Sequence, residues 1–197
     1  MRRSIVFTLV LGGVVLAAFA LTRSPARAQF VPEPCDFITG GGFVFTDDLA
    51  RANFGAHGGC KNGEFWGHVN YVDHGGFMGQ TPYHVDSTQI TGYVTVPGSS
   101  NARDICGVAR TNAGEIVNFR VRMEDNGEGP DDPKDRFSIH LSNGYLVTTR
   151  PLGDDEPGGG NVKLHKDNPS TRTPPDEAAV CDVGVPEPEP TTPPPSD

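Results

Sequence analysis

Basic residues are scarce in this chain, and long hydrophobic runs are absent beyond residue 21. Among 197 residues, 16 are Lys or Arg and 25 are Asp or Glu, so the formal net charge is −9. A strongly acidic chain repels phosphate backbones and anionic lipids, which disfavours nucleic acid and membrane surfaces as partners. No segment shows a sustained helical period, so a helical architecture is also disfavoured.

Several motifs of catalysis and metal binding are missing as well. There is no Cys-x-x-Cys pair of the kind found in zinc sites, no Gly-x-Ser-x-Gly elbow and no P-loop. Ser138, His140 and Ser142 share one face of a predicted strand, where side chains point in parallel and seldom meet head-on. A secreted hydrolase is therefore the least favoured of three functional hypotheses, and no catalytic residue is assigned.

The first 28 residues have the layout of a secretory signal peptide. Arg2 and Arg3 precede an apolar run from Ile5 to Leu21, and an Ala-Arg-Ala cleavage site ends at Ala28. We expect cleavage there and export to the periplasm, the cell surface or the medium, with no membrane contact afterwards. An uncleaved anchor is the alternative, because the apolar run is at the lower limit for a spanning helix. The export route, general or twin-arginine, stays open.

The leader contains four arginines and no acidic residue. Its removal leaves 12 basic and 25 acidic residues, a net charge of −13. Composition then divides the remaining chain into a lead-in (29–34), one domain (35–167), a Pro/Thr-rich segment pinned by Cys181 (168–182) and a tail (183–197). Proline at the density of the tail can support neither a ladder nor a helix, so we expect the tail to be disordered.

Four cysteines are an even number in a chain predicted to be exported, which favours two disulfide bonds. They are Cys35, Cys60, Cys106 and Cys181. Three pairings exist. We favour Cys60–Cys106 within the domain and Cys35–Cys181 closing its ends, because little else would hold Cys181.

From Phe37 onward, period-two segments rich in β-branched and aromatic residues alternate with Asn-Gly and Gly-Gly turns. This pattern predicts about nine strands and an all-β antiparallel domain, either a sandwich or a meander closed into a barrel. The predicted strands are Ile38–Phe45, Arg51–Ala56, Phe65–Asp73, Tyr83–Val96, Ala102–Arg110, Glu115–Met123, Arg136–Leu141, Tyr145–Thr149 and Val162–His165. Alternation predicts inward faces at Phe65, Val69 and Tyr71, at Val117, Phe119, Val121 and Met123, and at Phe137, Ile139 and Leu141.

Five segments occur in an order that resembles an uncharacterised β-domain family of secreted bacterial proteins. They are Ile38–Gly42, Gly67–His74, Asp125–Glu128, Arg136–Tyr145 and Gly158–His165. Such domains often stand at the C-terminal end of chains with choice-of-anchor modules. The resemblance implies a secreted all-β module and supplies no functional residues to transfer. This chain differs in two longer loops, at 77–82 and 129–134.

An acidic loop is the first candidate site. Its oxygen-bearing side chains are Asp125, Asn126, Glu128, Asp131 and Asp135. Calcium takes six to eight hard oxygen ligands, and a flexible loop can wrap to provide them. The spacing does not match an EF-hand. The alternatives are a calcium site and a solvated turn built on Asn126-Gly127.

Histidines and aromatic residues form the remaining candidates. His74 and His84 would approach across a hairpin and hold a metal, or they are ordinary polar-face side chains. Trp66, His68 and Asn70 share the outward face of one strand and could contact a ligand. The tyrosines, including Tyr71 and Tyr145, would extend an aromatic sugar-binding face or belong to the core.

These observations favour a secreted, non-catalytic β-module with a structural or extracellular interaction role, with calcium as a candidate stabilising ion. The alternative is a domain that binds a small molecule or a glycan. The partner is then an extracellular protein or glycan that the sequence does not identify.

Overall fold

The computed structural model describes residues 29–128, 133–154 and 159–183. The predicted signal peptide (1–28), most of the predicted tail (184–197), Gly158 and Asp131 lie outside the described residues. Within the described ranges the chain forms nine strands and no helix. The described residues therefore include no helical segment that could span a membrane.

All nine strands belong to one antiparallel sheet, which curls into a half-barrel. The strands are β1 Phe37–Phe45, β2 Arg51–Lys61, β3 Glu64–Asp73, β4 Tyr83–Thr95, β5 Ala102–Thr111, β6 Ile116–Glu124, β7 Arg136–Leu141, β8 Leu146–Pro151 and β9 Gly160–His165. Their order is β8-β7-β6-β5-β4-β3-β2-β1-β9. The all-β prediction is confirmed, with a single curled meander as its architecture.

The residues that follow β8 and precede β9 lie against β1. The carbonyl oxygen of Phe43 accepts a hydrogen bond from the backbone N–H of Gly153 at 2.8 Å, and the N–H of Phe43 donates to Gly159 at 2.8 Å. A Cβ atom on Gly159 would overlap the backbone of Leu152 and Gly153, so only glycine fits this close approach. The end of β8 and the start of β9 therefore meet at one corner of the sheet.

One predicted turn is wrong. Gly58 and Gly59 lie within β2, which continues to Lys61, and the turn falls at Asn62-Gly63 with φ of 54° and 81°. Both glycines are packing sites: a Cβ on Gly58 would lie 2.8 Å from the Ile105 side chain, and one on Gly59 would lie 2.5 Å from Phe37. Glycine here permits close approach inside a strand instead of ending it.

The concave side of the sheet holds the core. All ten side chains predicted to point inward are there, and all are buried except Phe65, which is partly buried and packs against the core. Phe54 stacks on Phe137 with ring centroids 3.9 Å apart. The tyrosine hydroxyls of this interior are hydrogen-bonded: Tyr71 to Tyr145 at 2.7 Å, and Tyr145 to Asp73 at 2.8 Å. Burial raises the pKa of each of these tyrosine hydroxyls far above the ordinary range for tyrosine.

Both ends of the described chain cover the convex side of β4–β6. Val180 donates its N–H to Thr91 at 2.9 Å, and Thr95 donates its N–H to Phe30 at 2.9 Å. The Gln29 amide donates to the buried carboxylate of Asp104 at 2.9 Å. The segment that follows residue 167 is therefore packed against the sheet at several points.

The disulfide bonds are Cys35–Cys60 and Cys106–Cys181, so the favoured pairing is wrong. Cys60 points into the core, whereas Cys106, next to the core residue Ile105, faces the convex side. Residues on opposite faces of a sheet cannot be bridged. Phe37 pairs with Gly59, which brings Cys35 beside Cys60, and Cys106 instead holds the C-terminal segment.

Both bonds are testable by removal in pairs. In the chain-entropy model the 75-residue loop of Cys106–Cys181 is worth about 4.5 kcal/mol and the 25-residue loop of Cys35–Cys60 about 3.5 kcal/mol. We expect Cys106→Ala with Cys181→Ala to be the more destabilising pair in urea unfolding, and to speed hydrogen exchange at Val180. Peptide mapping without reduction checks the pairing directly, and a Cys60–Cys106 peptide would contradict it.

Candidate ligand-binding face

The convex face of β1, β2 and β3 carries side chains in rows, because the three strands pair residue by residue. Thr39 lies opposite His57, and His57 lies opposite His68. The next row along the strands is Gly41, Gly55 and Asn70. A row of two glycines and one asparagine leaves a trough across the strands.

Neither glycine of this row is required by the fold. A Cβ on Gly55 would have no heavy atom within 4 Å, and one on Gly41 would meet only ordinary contacts at 3.4 and 3.9 Å. Neither residue has a positive φ. The trough above Gly55, lined also by Thr39, His57, Trp66, His68 and Asn70, has a volume of about 530 Å³ and is open to solvent.

One wall of the trough is an aromatic–histidine wall, made of Phe37, His57, Trp66, His68 and His165. Phe37 and His165 stack with centroids 4.4 Å apart, and His57 lies 4.9 Å from Trp66. His57 and His68 are 6.3 Å apart. These rings come from β1, β2, β3 and β9, so the curled sheet alone brings them together.

Polar partners orient the histidines of this wall. Thr39 Oγ1 is 3.0 Å from His165 Nε2, and Ser87 Oγ is 3.1 Å from His68 Nδ1. His68 Nε2 lies 3.2 Å from Asp86 Oδ1, which also accepts from Asn70 Nδ2 at 3.3 Å. Both histidines are therefore fixed, and Asp86 and Asn70 present their polar groups at the β4 end of the trough.

The next outward row, made of Phe43, Asn53 and Val72, borders the trough on the other side, and Arg51 lies over Phe43. Its guanidinium carbon lies 3.8 Å from the centre of the Phe43 ring, and its Nε donates to Asn53 Oδ1 at 3.0 Å. Among the residues that the structure describes, no carboxylate forms an ion pair with Arg51. The remaining N–H groups of this guanidinium are therefore exposed and oriented beside the trough.

His57 is the member of the wall with a shifted pKa. Partial burial lowers its pKa below the ordinary value of 6.5, and the neighbouring His68 lowers it further. A neutral imidazole both donates and accepts hydrogen bonds. At neutral pH the face is thus suited to a ligand with hydroxyl groups, which also do both.

The residues predicted as a ligand face, Trp66, His68 and Asn70, lie together on this convex face. The tyrosines do not join them, since Tyr71, Tyr83, Tyr93 and Tyr145 are all buried in the interior. Sequence analysis missed the contributions of Phe37, His57 and His165. Their outward alternation was the available signal, but which strands neighbour β1 was not readable from it.

A metal bound between His74 and His84 stays a prediction. His84 lies opposite Val72, and His74 follows the end of β3, where its N–H donates to Arg51 at 3.1 Å. Within residues 29–128, 133–154 and 159–183, no group of three His, Cys, Asp or Glu side chains is arranged to hold a metal ion.

The acidic loop closes the edge of the sheet. Asp135 Oδ2 accepts from the N–H of Val162 at 2.5 Å, and Asp125 Oδ2 accepts from the N–H of Leu164 at 2.8 Å. These two donors belong to β9 and lie on its edge away from β1. The carboxylates therefore accept hydrogen bonds that the backbone of a further strand would otherwise accept at this edge.

Other loop residues support this arrangement. Asp135 Oδ1 accepts from the N–H of Asn126 at 2.8 Å, and Asn101 donates to Asn126 Oδ1 at 2.8 Å. Glu128 pairs with Lys163 at 2.9 Å. Burial raises the pKa of Asp135, and its two backbone donors oppose that rise. Calcium binding stays a prediction, because Asp131 lies outside the described residues.

The serine and histidine of β7 form no catalytic pair. Ser138 and His140 are both buried, and in the described part of the chain no hydrogen bond joins His140 to a serine. His140 lies opposite Arg120, and burial followed by that positive charge lowers its pKa.

Comparison with protein-family profiles, with curated proteins and with solved structures finds no significant match for this chain. The resemblance to a secreted bacterial domain family stays a prediction. Function is therefore argued from the site.

The edge closure predicts a large effect at Asp135 and a small one at Glu128. Asp135→Asn leaves one carbonyl oxygen for two backbone donors, one buried and one partly buried, and we expect a loss of about 1–3 kcal/mol in urea unfolding. Glu128→Gln breaks only an exposed ion pair and should change stability by under about 0.5 kcal/mol. Equal effects would contradict the edge closure. Repeating both titrations with calcium and with a chelator tests the calcium hypothesis.

The wall geometry predicts an unusual titration of His57. In NMR, its imidazole should titrate with a midpoint below 6.5, and His68→Ala should raise that midpoint only part of the way, since burial is the larger cause. Because the folded pKa lies below the unfolded one, protonation of His57 costs stability as the pH falls below about 6.5. A midpoint at or above 6.5 would show that His57 is not buried by its neighbours.

Proposed function

We propose that this chain is a secreted, non-catalytic binding module, and that its ligand contacts the trough on the convex face of β1, β2 and β3. The observation that carries the proposal is the Gly41–Gly55 pair between two polar and aromatic walls. Exposed glycine inside a strand weakens the strand, and it marks places where a ligand or another backbone approaches closely. Neither a turn nor internal packing accounts for Gly55.

The concave side supports a convex-face site. Buried side chains from all nine strands fill it. The hydroxyls of Tyr71 and Tyr145 are already hydrogen-bonded to each other, and that of Tyr145 also to Asp73. The convex face of β1–β3, by contrast, exposes His68 and Asn70, and the exposed Asp86 of β4 lies opposite Asn70. A ligand therefore meets polar groups there without displacing the core.

Export is the second part of the proposal. Two disulfide bonds are compatible with an oxidising, extracellular location. The chain is in contact with the sheet from Gln29 onward, through Asp104 and Thr95. A cut before Gln29 would thus leave these contacts in place.

A co-sedimentation assay tests the binding role. The mature protein is mixed with the insoluble extracellular material of the producing cells, and we expect saturable binding. Trp66→Ala and His68→Ala should each weaken it at least tenfold, because they remove wall groups beside the trough. Asn118→Ala, on the convex face of β6 away from the trough, should bind like the parent. No binding, or equal binding by all variants, would overturn the proposal.

A further inference from the structure

We infer that the trough takes a neutral saccharide chain, which lies across β1, β2 and β3 over Gly41 and Gly55. This inference rests on the proposed binding role and adds the chemical class of the ligand. It follows from the mixture of groups that line the trough, from the sheet geometry beneath it and from the charge of the chain.

The polar lining offers donors and acceptors in close alternation. Arg51 presents donors beside the trough, whereas Asp86 presents an acceptor at the β4 end. Asn70, Thr39 and the neutral His57 can each do both. Saccharide hydroxyls also both donate and accept, so each of these groups can be matched by one class of ligand. A purely apolar or purely cationic ligand would leave part of the lining unpaired.

The ring of Trp66, at the edge of the trough, suits the apolar face of a sugar ring. Trp66 is the single tryptophan of the chain, and it is half-buried between His57 and Phe37. Aromatic side chains combine an apolar face with a fixed geometry. Sugar rings have apolar faces bordered by hydroxyls, so Trp66 and its polar neighbours suit one pyranose ring together.

The sheet beneath the trough argues against an extended peptide. Residues 37–45 of β1 pair with β2, and residues 52–61 of β2 pair with β3, without a break in register. The backbone N–H and C=O groups in these ladders are already hydrogen-bonded between strands. A peptide adds a strand at the edge of a sheet, not on its face. A protein ligand would therefore lack the main-chain bonds on which strand addition depends.

Charge argues against an acidic polysaccharide or a nucleic acid. The chain has a formal net charge of −9, which disfavours polyanions at long range. Charged side chains of both signs lie near the trough: Lys61 Nζ is 5.5 Å from the centre of the Trp66 ring, and Asp86 lies beside His68 and Asn70. An uncharged chain meets no such barrier.

The size of the trough indicates a short oligosaccharide. From β1 to β4 the strands span three spacings, or about 14 Å. The floor lacks side chains at Gly41 and Gly55, which lets a ring approach the backbone. Gly55→Val would fill this space and leave the strand pairing with Gly41 and Asn70 intact.

The test uses the full mature protein and Trp66 fluorescence. Neutral β-glucan, mannan and xylan oligosaccharides are titrated, with polygalacturonate as the anionic probe, at low and high salt. We expect at least one neutral oligosaccharide to bind with little salt dependence. Gly55→Val should weaken that binding at least tenfold while leaving the unfolding midpoint unchanged or raised. Asn118→Val, which creates the same residue on an exposed strand position outside the trough, should bind normally.

The outcomes separate the two proposals. If the protein sediments with extracellular material but no neutral oligosaccharide binds or competes, the ligand class is overturned and the binding role stands. Salt-sensitive binding of polygalacturonate alone also overturns it. Neutral binding that survives Gly55→Val places the ligand outside the trough. If nothing binds in either assay, both proposals fail.

Discussion

An open sheet ends in two edges, and the N–H and C=O groups there need partners. In this molecule the edge of β9 finds them in side chains. Asp135 and Asp125 accept from Val162 and Leu164, and they come from the ends of the β6–β7 loop on the far side of the curl. The same contacts hold β9 in place beside β1. Since His165 and Lys163 extend from β9, the outer end of the ligand-binding face depends on this closure.

The two faces of the sheet differ in what covers them. The concave face is filled by large side chains, and the glycines Gly40 and Gly58 let Met123 and Ile105 approach the backbone closely. Part of the convex face is covered by the terminal segments, which Cys106–Cys181 and the bond between Val180 and Thr91 secure. The convex surface of β1–β3 stays open. Its exposed glycine and its aromatic–histidine wall are thus a local exception, and a binding site is the explanation we adopt.

The acidic loop has a structural role that its composition does not reveal. Carboxylates clustered near glycines match the ligand preference of calcium, and the sequence contained no sign that a backbone edge would compete for the same oxygens. Asp125 and Asp135 each direct one oxygen to β9 and the other to a loop N–H. Burial raises the pKa of Asp135, because removal from water disfavours the charged carboxylate.

Period-two alternation was enough to predict the strands, because it is a local property that follows from backbone geometry. It identified all nine strands, the inward sets of β6 and β7 and the shared face of Trp66, His68 and Asn70. Tertiary structure decided which cysteines meet, because pairing depends on which face of the curled sheet each one occupies. It also decided that Phe37, His57 and His165 stand beside Trp66, since neighbours across strands are set by register and by the return of β9 to β1, and neither is encoded in local spacing.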